Sequence, residues 1–346
     1  MNFSLKALRL LIIVSLILFL YMNYWLNLEL FQNRQFPSEG IIFEVEKGMS
    51  VNQISNLLAK KKIIVHPLSI QLLYYLYYFP LPLKAGEYKI EAGESLKSVL
   101  IKMINGRVLL HQVTIPEGLT AKEIVTMLSF LNLNEMTLIE AIKNPQLIAD
   151  LDPEAQDLEG YLFPETYYFP KGISPTEVVK VMTNEFRKNF PETWQAEAKR
   201  KGFTLREIVI LASLIEKETG LPEERPLVSA VFHNRLKKGL KLDCDPTIIY
   251  ALQKAGINKK ELFEKDLKFP SPYNTYLYAG LPPGPICNPG REALKAALFP
   301  AQVDYLYFVS KGNGRHHFSV SYSEHLKAIS LYRKRANQQS GRRVKK

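Results

Sequence analysis

The sequence predicts an α+β protein with a single N-terminal transmembrane helix, a series of short βα repeats, and a mixed α/β domain around one buried helix. Three observations lead to this prediction. Residues 8–26 are almost entirely apolar, which is the length and composition of a bilayer span. A pattern of strand, glycine turn, Ser/Thr and helix occurs three times between residues 45 and 124. Residues 208–215 are apolar on every helical face except at Ser213, which is typical of a helix buried all round.

The composition indicates a folded protein with an anionic partner. Of 346 residues, 47% are hydrophobic and 23% charged, so the chain can bury a large core and general disorder is excluded. The net charge of +11 fits a nucleic acid, an anionic lipid or an acidic polymer, although a basic C-terminal tail supplies part of it. The sequence contains no zinc-ligand spacing, phosphate-binding loop or dinucleotide fingerprint. We therefore expect no metal, no cofactor and no nucleic-acid partner, and a membrane-tethered nucleic-acid binder is the less favoured alternative.

Residues 8–28 are the predicted transmembrane anchor, and residues 1–7 are the predicted cytoplasmic tail. Tyr21, Tyr24 and Trp25 close the apolar run, where they suit the interfacial belt of a membrane. Basic residues precede the run, so the positive-inside rule places the N-terminus in the cytoplasm. The alternative is a cleaved signal peptide, but no small-x-small cleavage site follows the run. We expect a single-pass protein of the cytoplasmic (inner) membrane with an extracytoplasmic (periplasmic) main domain.

Three βα units follow the anchor. Each has a glycine, and a Ser or Thr two residues later that begins a helix. This unit is similar to the LysM module, which binds N-acetylglucosamine-containing glycans, and the alternative is an ordinary α+β building block. Residues 41–107 are assigned to a LysM-like domain, and residues 108–157 to the third repeat and connecting helices. The four tyrosines within residues 74–78 are expected to lie in the core rather than to form a sugar-binding platform.

The buried helix carries the candidate acid. Thr204 and Glu207 form a capping box at its start, and a glycine and a proline follow its end. A carboxyl group at the end of such a helix can lie in a desolvated cleft, where burial raises its pKa and lets it donate a proton near neutrality. Helical periodicity does not choose between Glu216 and Glu218, and both could instead be solvated residues of the last turn.

Residues 158–337 are assigned to the domain that contains this helix, and residues 338–346 to a basic disordered tail. Asp245-Pro246-Thr247 is predicted to begin a helix, with Asp245 as its N-cap. The segment 269–290 is rich in proline, glycine and tyrosine, which predicts a functional loop, and residues 304–322 are predicted to form a hairpin.

The histidines and cysteines are given structural interpretations. His233, His316 and His317 are expected to be packing or surface residues rather than a catalytic base. Cys244 and Cys287 lack metal-ligand spacing, and they could form one disulfide outside the cytoplasm. The sequence leaves that pairing open.

Four uncommon strings occur in order in the C-terminal half: residues 212–219 (ASLIEKET), 245–250 (DPTIIY), 273–276 (YNTY) and 280–284 (GLPPG). Together they resemble the YceG-like endolytic murein transglycosylases, and the resemblance extends over nearly the whole chain. It implies a peptidoglycan lytic transglycosylase that cleaves nascent glycan strands between N-acetylmuramic acid and N-acetylglucosamine and leaves 1,6-anhydro ends. It also implies work beside the peptidoglycan synthases, where cleavage would terminate polymerisation.

The resemblance maps the catalytic glutamate onto Glu218. We expect the loop around residues 273–285 to form much of the substrate groove. The candidate substrate-binding residues are Asp245, Thr247, Tyr273, Asn274, Thr275, Tyr276, Gly280 and Pro282. For Asp245 and Thr247, a purely structural N-cap role is the competing explanation. The pair Asp243-Cys244 departs from relatives, which carry neutral polar residues there.

A lytic transglycosylase can work with one carboxyl group. The acid protonates the leaving oxygen, and as a carboxylate it then takes the proton of the muramic C6 hydroxyl, which closes the anhydro ring; water is not a reactant. Two alternatives stay open at this point. One is a non-catalytic, membrane-anchored peptidoglycan-binding scaffold in which Glu218 is structural, and the other is a hydrolase that produces reducing ends.

Overall fold

The fold is mixed α and β, as expected from the sequence. In a computed structural model, which describes residues 5–28, 39–91, 93–131, 133–259 and 261–343, these residues form thirteen α-helices and six β-strands. The strands are β1 (Ile41–Val45), β2 (Gly86–Ile90), β3 (Leu110–Thr114), β4 (Thr166–Pro170), β5 (Tyr307–Ser310) and β6 (His316–Ser319). The helices are α1 (Leu5–Leu28), α2 (Val51–Lys60), α3 (Pro67–Tyr77), α4 (Leu96–Asn105), α5 (Ala121–Met127), α6 (Glu135–Ile142), α7 (Pro175–Asn189), α8 (Glu192–Arg200), α9 (Leu205–Glu218), α10 (Arg225–Lys237), α11 (Asp245–Lys254), α12 (Arg291–Leu298) and α13 (Tyr322–Arg343).

The strands pair two by two. Within the described residues β1 pairs with β2, β3 with β4, and β5 with β6. The β1–β2 and β5–β6 pairs are antiparallel, and the latter is the predicted hairpin of residues 304–322. The chain divides into two compact units, one of Met1–Gln112 with Tyr168–Gly172, and one of Val113–Tyr167 with Ile173–Lys346.

The first unit begins with an apolar helix and continues as a small βααβ arrangement. In α1, Ala7–Tyr24 is long and apolar enough to cross a membrane. After it, β1 leads into α2 through a Gly48 turn at positive φ, and Ser50 begins α2 as its N-cap, in a capping box with Gln53. The helices α2, α3 and α4 bury apolar residues against β1 and β2. A strand and a helix are present at each of the three predicted βα units, as β1 and α2, β2 and α4, and β3 and α5, while their LysM-like character and glycan binding stay predictions.

The second unit is organised around α9. The capping box of Thr204 and Glu207 is present, and residues 208–215 are all buried, as the sequence predicts. Helices α8, α10, α11 and α12 pack around α9. Because α9 is surrounded on all sides, its C-terminal end is held in a fixed place inside the unit.

Three features differ from the sequence-based expectations. The closing helix α13 extends to Arg343, where a disordered tail is predicted, because residues 322–340 contain no proline or glycine to end it. Among the four tyrosines, Tyr74 is buried, but Tyr75 and Tyr77 are 59% and 48% exposed. Helix α11 begins at Asp245, so Cys244 rather than Asp245 is the N-cap. The first four residues of the predicted cytoplasmic tail and the last three of the basic tail lie outside the described residues.

Candidate functional site

Glu218 is the last residue of α9 and lies in the wall of a cavity of about 420 Å³ in the second unit. Helix α10, the β5–β6 hairpin and α13 line other parts of the wall. The side chains around the cavity belong to Glu218, Val231, Arg235, Leu242, Asp243, Asp245, Tyr276, Tyr307, Phe308, Val309, Ser310, His316, Tyr322 and His325. Polar, aromatic and charged groups thus surround one glutamate, in a space large enough for a sugar ring and part of its neighbour.

The Glu218 carboxyl group has properties that suit a general acid. Burial raises its pKa from 4.5 to about 7. A hydrogen bond with the Cys244 thiol acts in the opposite direction, and the negative charge of Asp245 adds to the rise. Close to neutrality, therefore, the protonated and ionised forms of this carboxyl group are both well populated. A group that first donates a proton and then accepts one must be able to adopt both forms.

Glu216, the other candidate acid that helical periodicity leaves open, has a different environment from Glu218. One of its carboxylate oxygens accepts a hydrogen bond from Arg225 Nη2 at 2.9 Å, and the other accepts from the backbone N–H of Gly290 at 3.0 Å. Burial raises the pKa of Glu216, while the Gly290 and Arg225 contacts oppose the rise. Both oxygens are engaged in structural contacts, and Glu216 is not among the residues that line the cavity.

Asp245 and Tyr276 form a pair on the cavity wall. The Tyr276 hydroxyl donates to Asp245 Oδ1 at 2.7 Å. Burial, together with this bond and the charge of Asp245, raises the pKa of Tyr276, so the phenol stays protonated. Nearby, Asp243 accepts a hydrogen bond from Arg235 at 2.8 Å. Of the predicted substrate-binding residues, Asp245 and Tyr276 are the two that share the cavity with Glu218.

Three further predicted binding residues lie behind this wall and hold it together. Thr247 Oγ1 donates to the Cys244 carbonyl at 2.6 Å, and Thr275 Oγ1 accepts from the Cys244 N–H at 3.0 Å. Asn274 donates to the carbonyls of Leu267 and Phe269, and its side-chain oxygen accepts from the Tyr276 N–H. Thr247, Asn274 and Thr275 are at most 2% exposed, so they position the wall rather than offer groups to a ligand.

The last three predicted binding residues lie elsewhere. Tyr273 packs on Tyr250 with ring centroids 5.0 Å apart and lines a small separate pocket beside Arg206 and the segment 283–285. Gly280 has a φ of 92°, which a side chain would disfavour, and Pro282 is buried. The structure therefore does not bring Tyr273, Gly280 or Pro282 to the cavity wall that holds Glu218.

Sequence reasoning missed a hydrogen-bonded pair that links the cavity to the turn after Glu218. His316, expected to be a packing or surface residue, lines the cavity, and its Nδ1 lies 2.7 Å from Glu224 Oε2. Burial acts to raise the pKa of Glu224, but hydrogen bonds from the backbone N–H and the ring of His316 outweigh burial. The pKa of Glu224 is therefore below its ordinary value. Glu224 also accepts from Thr219, the residue after Glu218. Residues 92 positions apart form the pair, so no local pattern could have predicted it.

The two cysteines are separate, buried thiols in the structure. Burial raises the pKa of Cys244, and the charge and hydrogen bond of Glu218 raise it further, so Cys244 is a neutral donor to Glu218. Burial likewise raises the pKa of Cys287. Among the described residues, no group of three or more His, Cys, Asp or Glu is arranged to hold a metal ion.

Comparison with known proteins adds a family assignment to this geometry. A model described as the YceG-like family matches residues 43–331. An "Endolytic murein transglycosylase" of Bacillus subtilis (strain 168) is 34% identical over 306 residues, which is 83% of each protein. A protein of the same name from Streptococcus pneumoniae serotype 2 (strain D39 / NCTC 7466) is 31% identical over 295 residues, 77% of this chain and 53% of the relative. A 2.6 Å crystal structure of a yceG-like protein from Listeria monocytogenes matches with a TM-score of 0.57 and 32% identity, over 84% of this chain and 99% of that one.

Proposed function

This chain belongs to the YceG-like family, and from that premise we propose that it is an endolytic murein transglycosylase, a lyase that acts on peptidoglycan. Its substrate is the nascent glycan strand, and the bond that breaks joins N-acetylmuramic acid to N-acetylglucosamine. The relatives that carry this activity in their names align with 77% or more of the chain. The observation that most strongly supports a catalytic centre concerns Glu218. Its carboxyl group has a pKa of about 7, and the same side chain lines the cavity.

Glu218 acts first as an acid and then as a base. Its protonated carboxyl group donates to the glycosidic oxygen, and the bond from muramic C1 to that oxygen breaks as positive charge develops on the ring. The resulting carboxylate accepts the proton of the C6 hydroxyl, and O6 bonds to C1 to close the 1,6-anhydro ring. The glutamate returns to its starting protonation state, and the reaction consumes no water.

The surrounding residues suit the two requirements of this reaction. A positioned acid–base group contributes roughly 10²–10⁴-fold, so the remaining acceleration must come from the orientation of the sugar and its own hydroxyl. The Asp245–Tyr276 pair and His316 offer hydrogen-bonding groups at fixed places on the same wall. The ring of Tyr322, which is 59% exposed, supplies an apolar face against which a sugar ring can stack.

Cellular location is part of the same proposal. The apolar span Ala7–Tyr24 anchors the chain in the cytoplasmic membrane, with the N-terminus in the cytoplasm and the residues that follow the anchor outside. The family resemblance supports a role beside the peptidoglycan synthases, where cleavage of a growing strand would end its polymerisation. A membrane anchor favours this role because nascent strands emerge at the membrane surface.

Product analysis tests the proposal. The purified full chain is incubated in detergent with uncrosslinked glycan strands, and mass spectrometry identifies the new ends. We expect 1,6-anhydro-N-acetylmuramic acid ends at internal positions of the strand. Reducing N-acetylmuramic acid ends would identify a hydrolase, and the absence of cleavage would leave the peptidoglycan-binding scaffold as the better explanation.

A further inference from the structure

The first unit leaves a broad apolar surface uncovered on α3 and on the segment that follows it. One face of α3, with Ile70, Leu73 and Tyr74, packs into the core. The opposite face and the next turn carry six large apolar side chains that are 40–65% exposed: Leu68, Leu72, Tyr75, Leu76, Phe79 and Leu81. Surface helices of water-soluble domains present polar residues outward, so a helix that is apolar on both faces needs a second apolar neighbour.

These side chains form one continuous patch. Leu72 is four residues after Leu68, and Tyr75 and Leu76 are three and four residues after Leu72, so these side chains lie on a single stripe of α3. The rings of Tyr75 and Phe79 are 5.9 Å apart, which connects the stripe to the following turn. Scattered exposed apolar residues need no explanation, but a continuous patch of this kind marks an interaction surface.

The patch lies beside the end of the membrane span. The Tyr77 hydroxyl, at the last residue of α3, donates to the side-chain oxygen of Asn23 in α1. Asn23 lies between Tyr21 and Tyr24, among the aromatic residues that close the predicted anchor. Where the span ends, the bilayer changes from hydrocarbon to headgroups. The contact therefore places the end of α3 at the depth of the headgroup region.

The charge of this region also indicates that the patch contacts the membrane surface. The stretch from Lys47 to Gly86 contains five lysines and no aspartate or glutamate. Three of these lysines are consecutive, at residues 60–62, where α2 ends. Anionic lipid headgroups attract basic residues that lie near the membrane surface. An apolar, tyrosine-rich helix flanked by lysines has the composition of helices that lie in the plane of a membrane interface.

We propose that α3 and residues 78–83 dock on the outer surface of the membrane that α1 spans. The apolar stripe is buried at the boundary of headgroups and acyl chains, and the lysines lie among anionic headgroups. This interface gives the first unit a second point of attachment besides the anchor, and it fixes the height of that unit above the bilayer. The inference rests on the membrane anchor of the proposed function, but not on the transglycosylase activity.

Site-directed spin labelling of the full chain in vesicles of phosphatidylethanolamine and phosphatidylglycerol tests the docking. A nitroxide is attached at Leu72→Cys on the stripe, at Leu16→Cys in the anchor, and at Lys199→Cys on the polar helix α8 as a control in water. Cys244 and Cys287 are buried and need no replacement. Collision with oxygen, which concentrates in lipid, is compared with collision with a water-soluble nickel chelate.

We expect the label at residue 72 to resemble the label at residue 16, with oxygen collisions dominant, while the label at residue 199 favours the nickel chelate. In vesicles of phosphatidylcholine alone, the ratio of oxygen to nickel collisions at residue 72 should fall at least twofold, because the lysines lose their anionic partners. A residue 72 label that resembles residue 199 would overturn the proposal. So would protection from both reagents with concentration-dependent spin broadening, which would indicate a second copy on the patch. A residue 16 label in water would instead overturn the anchor itself.

Discussion

Ionisation of Glu218 is expected to cost the folded protein about 3 kcal/mol, and the substitution Glu218→Gln should remove this cost. The pKa of its carboxyl group is 4.5 in the unfolded reference and about 7 in the folded protein. Each pKa unit corresponds to about 1.4 kcal/mol, so the difference amounts to about 3 kcal/mol. The pKa is raised on folding, so the unfolded chain ionises first. The contribution of Glu218 to stability is therefore highest below pH 4.5, falls between pH 4.5 and 7, and is level above pH 7.

Urea unfolding of the full chain in detergent, followed by the fluorescence of Trp194 in the second unit, measures this effect. Between pH 4.5 and 7.5 the free energy of unfolding of the wild type should fall by about 3 kcal/mol relative to Glu218→Gln. Glu223→Gln is the matched control, because Glu223 is 54% exposed and its surface pair with Arg315 is worth at most about 1 kcal/mol. Wild-type and Glu218→Gln profiles that run parallel would show that the Glu218 carboxyl is solvated, and the argument for a general acid would fail.

Four other predictions follow from the same contacts. The rate of anhydro-end formation should fall about tenfold per pH unit above pH 7, because Glu218 must begin the reaction protonated; a rate that is constant up to pH 9 would exclude it as the acid. Tyr276→Phe removes the hydroxyl that donates to Asp245 and should lower kcat/KM about tenfold, whereas unchanged kinetics would mean that the pair does not serve the reaction. Asn288→Ala should lower the free energy of unfolding by about 2–4 kcal/mol, since its side chain bonds to Gly160, Leu162, Leu119 and Glu159; a loss below about 1 kcal/mol in urea unfolding would contradict this. Alkylation of the denatured chain without reductant should modify both Cys244 and Cys287, and a mass that corresponds to no alkylated thiol would reveal a disulfide instead.

The elements that sequence patterns predicted well are those whose signals are local. The capping box of Thr204 and Glu207 involves residues three apart, and it is present. The buried character of α9 follows from an unbroken apolar run, and the hairpin near the C-terminus from its turn residues. In each case the residues that determine the structure are neighbours in the chain.

The features that the sequence did not predict depend on distant contacts. Periodicity could not separate Glu216 from Glu218, because their environments differ through Arg225 and Gly290, which come from other segments. The place of His316 in the cavity likewise depends on Glu224, 92 residues earlier.

The prediction that the tyrosines of α3 lie in the core was wrong for a different reason. An apolar run predicts a segment that is buried in the core. Only the structure, in which α3 packs on one side, shows that Tyr75 faces outward. Apolar sequence alone cannot distinguish burial against protein from burial against lipid.

The most direct test of the central claim is the rate at which Glu218→Gln forms 1,6-anhydro ends on glycan strands, compared with the wild type and with Glu223→Gln. If Glu218 is the catalytic acid, the Glu218→Gln rate falls roughly 10²–10⁴-fold while Glu223→Gln retains the wild-type rate. Anhydro ends that the Glu218→Gln protein forms at a rate within tenfold of the wild type would contradict it, because the proton of the reaction would then come from another group.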